Sequence, residues 1–117
     1  MAITEKVQLG KDNRNDIILV ADGSVPSLAS VTKMTLTFED GTVIDSSKDE
    51  GVFDWKTYKV TAAEAEKTSV AKEGDDKLVL KLGNSFSATG LYHAELSAYD
   101  DENTDGIDWG WITFIVE

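Results

Sequence analysis

The chain of 117 residues contains no cysteine and carries 22 acidic residues against 11 lysine and arginine residues, a formal net charge of −11 at pH 7. Its length suits one domain, residues 1–117, and the lack of cysteine excludes disulfides and thiolate metal sites. So acidic a surface repels nucleic-acid phosphates, no apolar run approaches the roughly 20 residues of a membrane helix, and the chain begins without a secretory signal. We therefore expect no nucleic-acid and no membrane partner, and synthesis in a cytoplasm.

Apolar and polar residues alternate in short runs along the first part of the chain, which is the pattern of half-buried β-strands. The clearest run is VTKMTLTF, residues 31–38, in which Met34, Leu36 and Phe38 fall on one face. EDG at 39–41 predicts a turn after this run. In chain order, the predicted strands are 3–9, 17–21, 31–38, a return strand that begins at 42–44, and 78–82 with Leu78, Leu80 and Leu82 turned inward; the polar loop GKDNRND separates the first two.

One segment in the middle of the chain breaks the strand pattern. Residues 61–67, TAAEAEK, are good helix formers behind Thr61, and Glu64 completes a capping box with that threonine. The segment predicts a short helical turn between strands, and it is too short to build a helical fold.

The last two predicted strands, 91–99 and 109–116, form a hairpin across the loop 100–108. Setting Tyr99 opposite Trp109 makes one face of this hairpin wholly apolar, as a core face should be. That face consists of Tyr92, Ala94, Leu96, Ala98, Gly110, Ile112, Phe114 and Val116. Because the second strand is largely apolar on its other face too, we expect both strands to lie in the centre of a sheet.

Short strands with a turn about every ten residues predict an all-β fold. We expect an antiparallel immunoglobulin-like β-sandwich with one short helical turn, built as a single domain. The immunoglobulin-like assignment depends on strand number and length, because the chain has no cysteine pair of the antibody type.

The hairpin loop contains DENTDG, residues 101–106, which matches the opening of a calcium-binding EF-hand loop. An EF-hand places a bidentate glutamate at its twelfth position, but counting from Asp101 that position is Ile112, a predicted core residue. Turn chemistry explains the composition, because Asp and Asn bond their own backbone and glycine permits a positive φ. We expect a turn with no metal and no cofactor; a looser calcium site is left open to Asp100, Asp101, Asp105 and Asp108.

The residue types needed for catalysis do not form a recognisable set. The single histidine, His93, lies on a predicted strand among apolar neighbours, and no nucleophile and base can be grouped around it from the sequence. The segments GKDNRND and GNSFSATG lack the phosphate-loop pattern. We therefore expect a protein that is not an enzyme.

Four segments carry a resemblance to a known family: VTKMTLTFEDGTVIDSS (31–47), FDW (53–55), LVLKLG (78–83) and GLYHAELSAYDDENTDGIDWG (90–110). Together they resemble small accessory structural proteins of tailed bacteriophages, which are immunoglobulin-like virion proteins of about this size. The resemblance implies a virion protein made in the host cytoplasm, foremost a capsid decoration or cement protein that binds the major capsid protein. It leaves open a tail, neck or baseplate component, and a homo-oligomer on the virion.

For this function, the predicted contact surface is the outer face of the hairpin together with its acidic loop. The residues expected to contact a partner are Tyr99, Asp101, Asp105, Trp109 and Trp111. Trp and Tyr are favoured as interface anchors, and the carboxylates would attract a basic partner. The alternative for this face is cover by loop residues or by the helical turn near 62–66.

A different class of function would be a carbohydrate- or cell-surface-binding module. That function would use Trp55, Trp109 and Trp111 as stacking platforms for sugar rings. For Trp55 we expect core packing instead.

Overall fold

The computed structural model describes residues 2–49, 51–83 and 85–117, which fold into two β-sheets with one short helix. In chain order, the elements of these residues are β1 Ala2–Val7, β2 Arg14–Ile17, β3 Lys33–Phe38, β4 Val43–Asp45, β5 Phe53–Asp54, α1 Ala62–Glu66, β6 Leu78–Lys81, β7 Gly90–Tyr99 and β8 Ile107–Val116. The larger sheet has the strand order β1-β8-β7-β3-β4, and the smaller sheet has the order β2-β6-β5. The protein therefore has the all-β fold that the alternation predicts, with β7 and β8 inside the larger sheet as expected.

The inward faces of the two sheets enclose one apolar core. Most residues predicted to face inward on β3, on β6 and on the hairpin are buried, namely Met34, Leu36, Phe38, Leu78, Leu80, Leu82, Ala94, Leu96, Ala98, Ile112, Phe114 and Val116. Tyr92 and Gly110, which were also predicted on the core face, are half-buried. Each large apolar side chain that is removed from water in this way contributes roughly 1.5 to 3 kcal/mol. The two-residue period of the sequence thus predicts the core correctly.

One strand pair departs from the antiparallel expectation. β1 runs parallel to β8, from Ala2 beside Trp111 to Val7 beside Val116, whereas the other strand pairs are antiparallel. Tight turns force consecutive strands to run antiparallel, but β1 and β8 are far apart in the chain, so no turn sets their relative direction. The prediction of a purely antiparallel sandwich is wrong at this pair.

The second strand begins earlier in the chain than predicted. β2 covers Arg14–Ile17, so it starts inside the predicted polar loop and ends where the predicted strand 17–21 begins. The side-chain amide of Asn15 donates hydrogen bonds to the Glu5 carboxylate and to the Lys6 carbonyl, each at 3.1 Å. These bonds join β2 to β1 of the other sheet, and strand propensity does not predict them.

The helix begins where the sequence predicts it. The Thr61 hydroxyl accepts a hydrogen bond from the Glu64 backbone N–H at 3.1 Å, and the Glu64 carboxylate accepts one from the Thr61 N–H at 3.0 Å. This reciprocal pair is the predicted capping box, and it stabilises a helix of only five residues.

The segment around the helix covers the part of the smaller sheet's outward face at Lys77 and Val79, whereas Arg14, Asp16 and Lys81 on the same face stay exposed. Val79 alternates with Leu78 and Leu80 along β6, so its side chain lies on the outward face, yet it has no exposed surface. Lys77, just before β6, is 3% exposed, and its ammonium contacts Glu64 of α1. The helix therefore lies against the smaller sheet, away from the hairpin face for which it was one candidate cover.

Lys77 is the centre of a charged cluster that joins β2, α1 and β6. Its Nζ lies 2.8 Å from Asp16 Oδ2 and 2.7 Å from Glu64 Oε1. Burial works to lower the pKa of Lys77, but the hydrogen bonds to the two carboxylates raise it overall. A hydrogen bond from Arg14, supported by Lys77, lowers the pKa of Asp16, and a hydrogen bond from Lys77 lowers the pKa of Glu64. All of these groups are therefore charged at neutral pH.

Candidate partner-binding surface

From Gly90 to Leu96, the pairing of β7 with β8 differs from the predicted register by two residues. Leu96 lies opposite Gly110, whereas the predicted register, with Tyr99 opposite Trp109, would set Leu96 opposite Ile112. Because side chains alternate with period two, an even shift keeps each residue on its predicted face. The core face is therefore correct although its cross-strand partners are wrong.

A β-bulge interrupts this pairing near the loop. Ser97 pairs with Asp108, and Trp109 has no partner across the strands. Gly110 has a φ of 106°, and the Asp108 carboxylate accepts a hydrogen bond from the Gly110 N–H at 2.6 Å. As the extra residue of the bulge, Trp109 is half-buried and packs against the core.

The loop between the two strands is a turn organised by Asp100. Its carboxylate accepts hydrogen bonds from the backbone N–H groups of Glu102 and Asn103, at 2.9 and 2.7 Å, and from the Asn103 side-chain amide at 2.9 Å. These bonds, foremost that of the Asn103 side chain, lower the pKa of Asp100. Asp101 and Asp105 are exposed on the outside of this turn.

The carboxylates considered for a calcium site do not meet at one point. Within residues 2–49, 51–83 and 85–117, the structure contains no group of three His, Cys, Asp or Glu side chains that could hold a metal ion. The Asp100 carboxylate instead binds the backbone of its own turn, which is the turn chemistry predicted for this loop.

The Tyr99 ring packs against the loop. The Lys33 ammonium lies 4.2 Å from the centroid of the Tyr99 ring, and the Tyr99 carbonyl accepts a hydrogen bond from the Thr32 N–H at 2.8 Å. Gly106 passes so close that a Cβ there would come within 2.8 Å of the ring. Only glycine fits between this ring and the turn, so Tyr99 and Gly106 together set the position of the loop.

An open groove of about 720 Å³ lies beside the loop at this end of the sandwich. Its lining residues are Ala29, Ser30, Val31, Thr32, Lys56, Asp100, Asp101 and Glu102. Three carboxylates and one ammonium give the groove an acidic character. We call the loop 100–106 and this groove the acidic end.

The outward face of the larger sheet exposes large apolar side chains. Leu91, Val43 and Trp111 are 65%, 51% and 44% exposed. One row of the strand register crosses all five strands through Ala2, Trp111, Glu95, Thr37 and Val43. We call this outward surface the bare face, because the described chain places no element over Trp111, Leu91 or Val43.

The structure divides the five predicted contact residues into two groups. Asp101, Asp105 and Trp111 present exposed surface, whereas Tyr99 and Trp109 are half-buried and hold the loop and the bulge in place. Leu91 also lies on the outward face, although it was not among the residues predicted there. Extending the two-residue period back from His93 would have found it.

Two residues considered for other functions take part in packing. Trp55 is buried, and its indole N–H donates a hydrogen bond to the Val31 carbonyl at 3.3 Å, which confirms the expected core packing. His93 is half-buried, with Nδ1 at 2.8 Å from the Thr113 hydroxyl.

Comparison with protein-family models and with curated proteins found no match to this chain. In the part of the chain that the structure describes, no helix has the length and apolar character needed to cross a bilayer.

Proposed function

We propose that the protein is a non-enzymatic structural protein of a tailed-bacteriophage virion, foremost a decoration or cement protein that binds the lattice of the major capsid protein. The observation that carries this proposal is the bare face, where Leu91, Val43 and Trp111 are exposed on one side of a single sheet. Single apolar residues are ordinary on protein surfaces, whereas contiguous apolar surface marks a contact. Leu91 lies on this face beside Ile115, which is in the same strand as Trp111, and Val43 is separated from Trp111 by Glu95 and Thr37. The resemblance of four segments to phage accessory proteins supplies the kind of partner.

We also propose that the topology is immunoglobulin-like. If β2 to β8 are named B, C, C′, D, E, F and G, the larger sheet contains the order G-F-C-C′ and the smaller sheet the order B-E-D. This order is similar to that of variable-type domains without their strand C″, with β1 placed beside strand G, and it supports the proposal. A fold of this kind serves many functions, so the contact residues have to identify the partner.

The proposed contact combines an anchor with a charged rim. Trp111 is the anchor, because an aromatic side chain buries a large area at little entropic cost. Asp101 and Asp105 at the acidic end favour a partner with a basic surface and increase the rate of association. Together with the resemblance to phage accessory proteins, these features support our proposal that the partner is another virion protein, neither a nucleic acid nor a membrane.

The competing functions can be compared at the same surface. A tail, neck or baseplate component would use the same contact with a different protein. A carbohydrate-binding module needs exposed aromatic platforms, but Trp55 is buried and Trp109 packs against the core, so Trp111 alone is available. This favours a protein partner over a sugar.

Cosedimentation with purified capsids, and separately with tails, tests the proposal. We expect the parent protein to bind capsids and Trp111→Ala to weaken binding by at least about tenfold. The matched control is Val20→Ala, because Val20 is an exposed apolar residue (37%) outside the larger sheet. Binding to tails alone would identify a tail component, and a parent protein that binds neither particle would refute the virion proposal.

A second pair of variants tests the charged residues of the acidic end. Asp101→Asn with Asp105→Asn should weaken binding more at low salt than at high salt, because exposed charges are screened by salt. The double variant Asp12→Asn with Glu73→Gln removes the same number of exposed charges elsewhere and should bind like the parent. Equal binding by both double variants would show that the acidic end is only a turn.

A further inference from the structure

A second cavity lies at the opposite end of the sandwich from the acidic end. It has a volume of about 490 Å³ and opens between the turn after β3 and the segment that leads into β7. Phe38, Phe86 and Tyr92 form its aromatic wall, and Asp40 and Asp49 lie on its rim. The volume falls within the roughly 300 to 1,000 Å³ that is usual for ligand sites.

The aromatic wall is held in place by its own packing. The Phe86 ring centroid lies 4.8 Å from that of Tyr92, 5.6 Å from that of Phe114 and 6.1 Å from that of Phe38. The Tyr92 hydroxyl donates a hydrogen bond to the Ala88 carbonyl at 2.8 Å, which fixes the segment before β7. A ligand would therefore meet a wall that is already formed, which lowers the cost of binding.

The rim carries two carboxylates that are fixed by the backbone. Asp40 Oδ1 accepts a hydrogen bond from the Thr42 N–H at 2.8 Å, and this bond lowers the pKa of Asp40. Asp49 Oδ2 accepts one from the Asp45 N–H at 3.2 Å. In the described ranges neither carboxylate forms an ion pair, and no lysine or arginine lines the cavity.

An apolar aromatic wall with an anionic rim matches only one class of side chain. Arginine and lysine combine an aliphatic stem, which packs on apolar surface, with a cation at its end. Aromatic rings attract such cations, whereas an anion would be repelled by Asp40 and Asp49. A purely apolar ligand would remove water from the carboxylates without replacing its hydrogen bonds.

We propose that this cavity receives a basic side chain of the virion partner, with its stem against Phe86 and Tyr92 and its charge at Asp40 and Asp49. The inference rests on the proposed function, since the partner is the protein that the bare face and the acidic end contact. It adds a second anchor at the other end of the sandwich, and it names the residue type that the partner must present there.

The chemistry of the cavity can be tested without the partner. The probe is N-acetyl-arginine methylamide, compared with its neutral citrulline counterpart, and the readout is the NMR shifts of the Phe86 and Tyr92 rings. We expect saturable shifts with the arginine probe and at least about fivefold weaker binding of the citrulline probe, the sum of two exposed charge contacts. Equal binding of the two probes would overturn the proposal.

Asp40→Asn with Asp49→Asn removes the rim charges and retains an oxygen to accept the Thr42 and Asp45 N–H groups. We expect this double variant to bind the two probes equally. The control, Asp101→Asn with Asp105→Asn, makes the same change of charge at the acidic end and should keep the arginine preference within about twofold of the parent. Loss of the preference in the control, or its persistence in the rim variant, would contradict the assignment.

Capsid cosedimentation then separates this inference from the proposed function. If the parent binds capsids, the rim variant should bind at least about fivefold more weakly. A rim variant that binds capsids like the parent overturns the inference and leaves the proposed function standing. A parent protein that binds neither capsids nor tails refutes the proposed function, and the probe experiment alone then decides the cation preference of the cavity.

Discussion

The outward faces of the two sheets have different surroundings. On the smaller sheet, Val79 and Lys77 are buried because the segment around α1 lies over them. On the larger sheet, Leu91 and Trp111 are exposed. An outward apolar side chain is therefore part of the core where the chain supplies its own cover, and a candidate contact where it does not.

The largest effect is expected in the interior that both sheets share. Phe114→Ala should lower the free energy of unfolding by about 3 to 5 kcal/mol, because the ring has no exposed surface and its loss leaves a cavity. Urea denaturation measures this change. Leu91→Ala on the bare face is the control and should change stability by less than about 0.5 kcal/mol. Equal losses in the two variants would remove the distinction between inward and outward faces.

The covered face is tested by Lys77→Ala. Removing this cation leaves the Asp16 and Glu64 carboxylates without their buried partner, which should cost about 2 kcal/mol, less than for a fully buried pair because both carboxylates are 27% exposed. The control is a double-mutant cycle with Glu64→Gln, in which the two losses should not add. Additive losses would show that Lys77 acts by packing alone.

The same cluster predicts a dependence on pH. Asp16 and Glu64 have pKa values below their ordinary values of 3.8 and 4.5, so their contribution is complete above those values and is lost as the pH falls through the lowered pKa values. The raised pKa of Lys77 removes its contribution only at alkaline pH, above its ordinary value of 10.5. The stability difference between parent and Lys77→Ala should thus be constant near neutral pH and shrink in acid. A difference that persists unchanged in strong acid would contradict the ion cluster.

Trp109 is intermediate between the buried residues of the core and the exposed residues of the bare face. Because it is half-buried against the core, Trp109→Ala should cost about 1 to 2 kcal/mol, less than Phe114→Ala. Thermal unfolding of both variants under one set of conditions gives the comparison. A Trp109→Ala protein as stable as the parent would make this tryptophan an exposed contact residue, as the sequence pattern suggests.

The smallest effect on stability is expected on the bare face itself. Trp111→Ala should change the free energy of unfolding by less than about 0.5 kcal/mol, because the side chain is already largely in water. Trp111→Phe serves as the control for particle binding, since it keeps an aromatic anchor. If Trp111→Ala instead unfolds at much lower denaturant concentration, the residue is structural and the comparison of the two faces fails.

The inward residues could be predicted from the sequence because alternation depends only on strand geometry. Met34, Leu36 and Phe38 are buried as their spacing requires, and the capping box at Thr61 starts the helix as its residue types require. The direction of β1 could not be predicted, because no turn links it to β8. The position of β2 was also missed, since Asn15 holds it through contacts with distant residues.

The candidate contact surface could be predicted only in part, because it also depends on a bulge and on contacts between distant segments. Period-two spacing places Trp111 correctly on the outward face. A bulge adds one residue to β8, and the half-buried Trp109 therefore packs against the core. Nothing in the local sequence shows which sheet α1 will cover. The cavity at Phe86 depends on segments that are distant in the chain, so its wall and rim are visible only in the folded protein.

The parallel pairing of β1 with β8 has a mechanical consequence. Six residue pairs join these strands, from Ala2 beside Trp111 to Val7 beside Val116, and the Glu117 N–H donates a further hydrogen bond to the Val7 carbonyl. A force that pulls the two ends of the described chain apart acts along these strands, so it loads the connecting hydrogen bonds in shear and all at once. A hairpin pulled at its open end would instead separate one pair at a time. The arrangement therefore resists a force that pulls residues 2 and 117 apart.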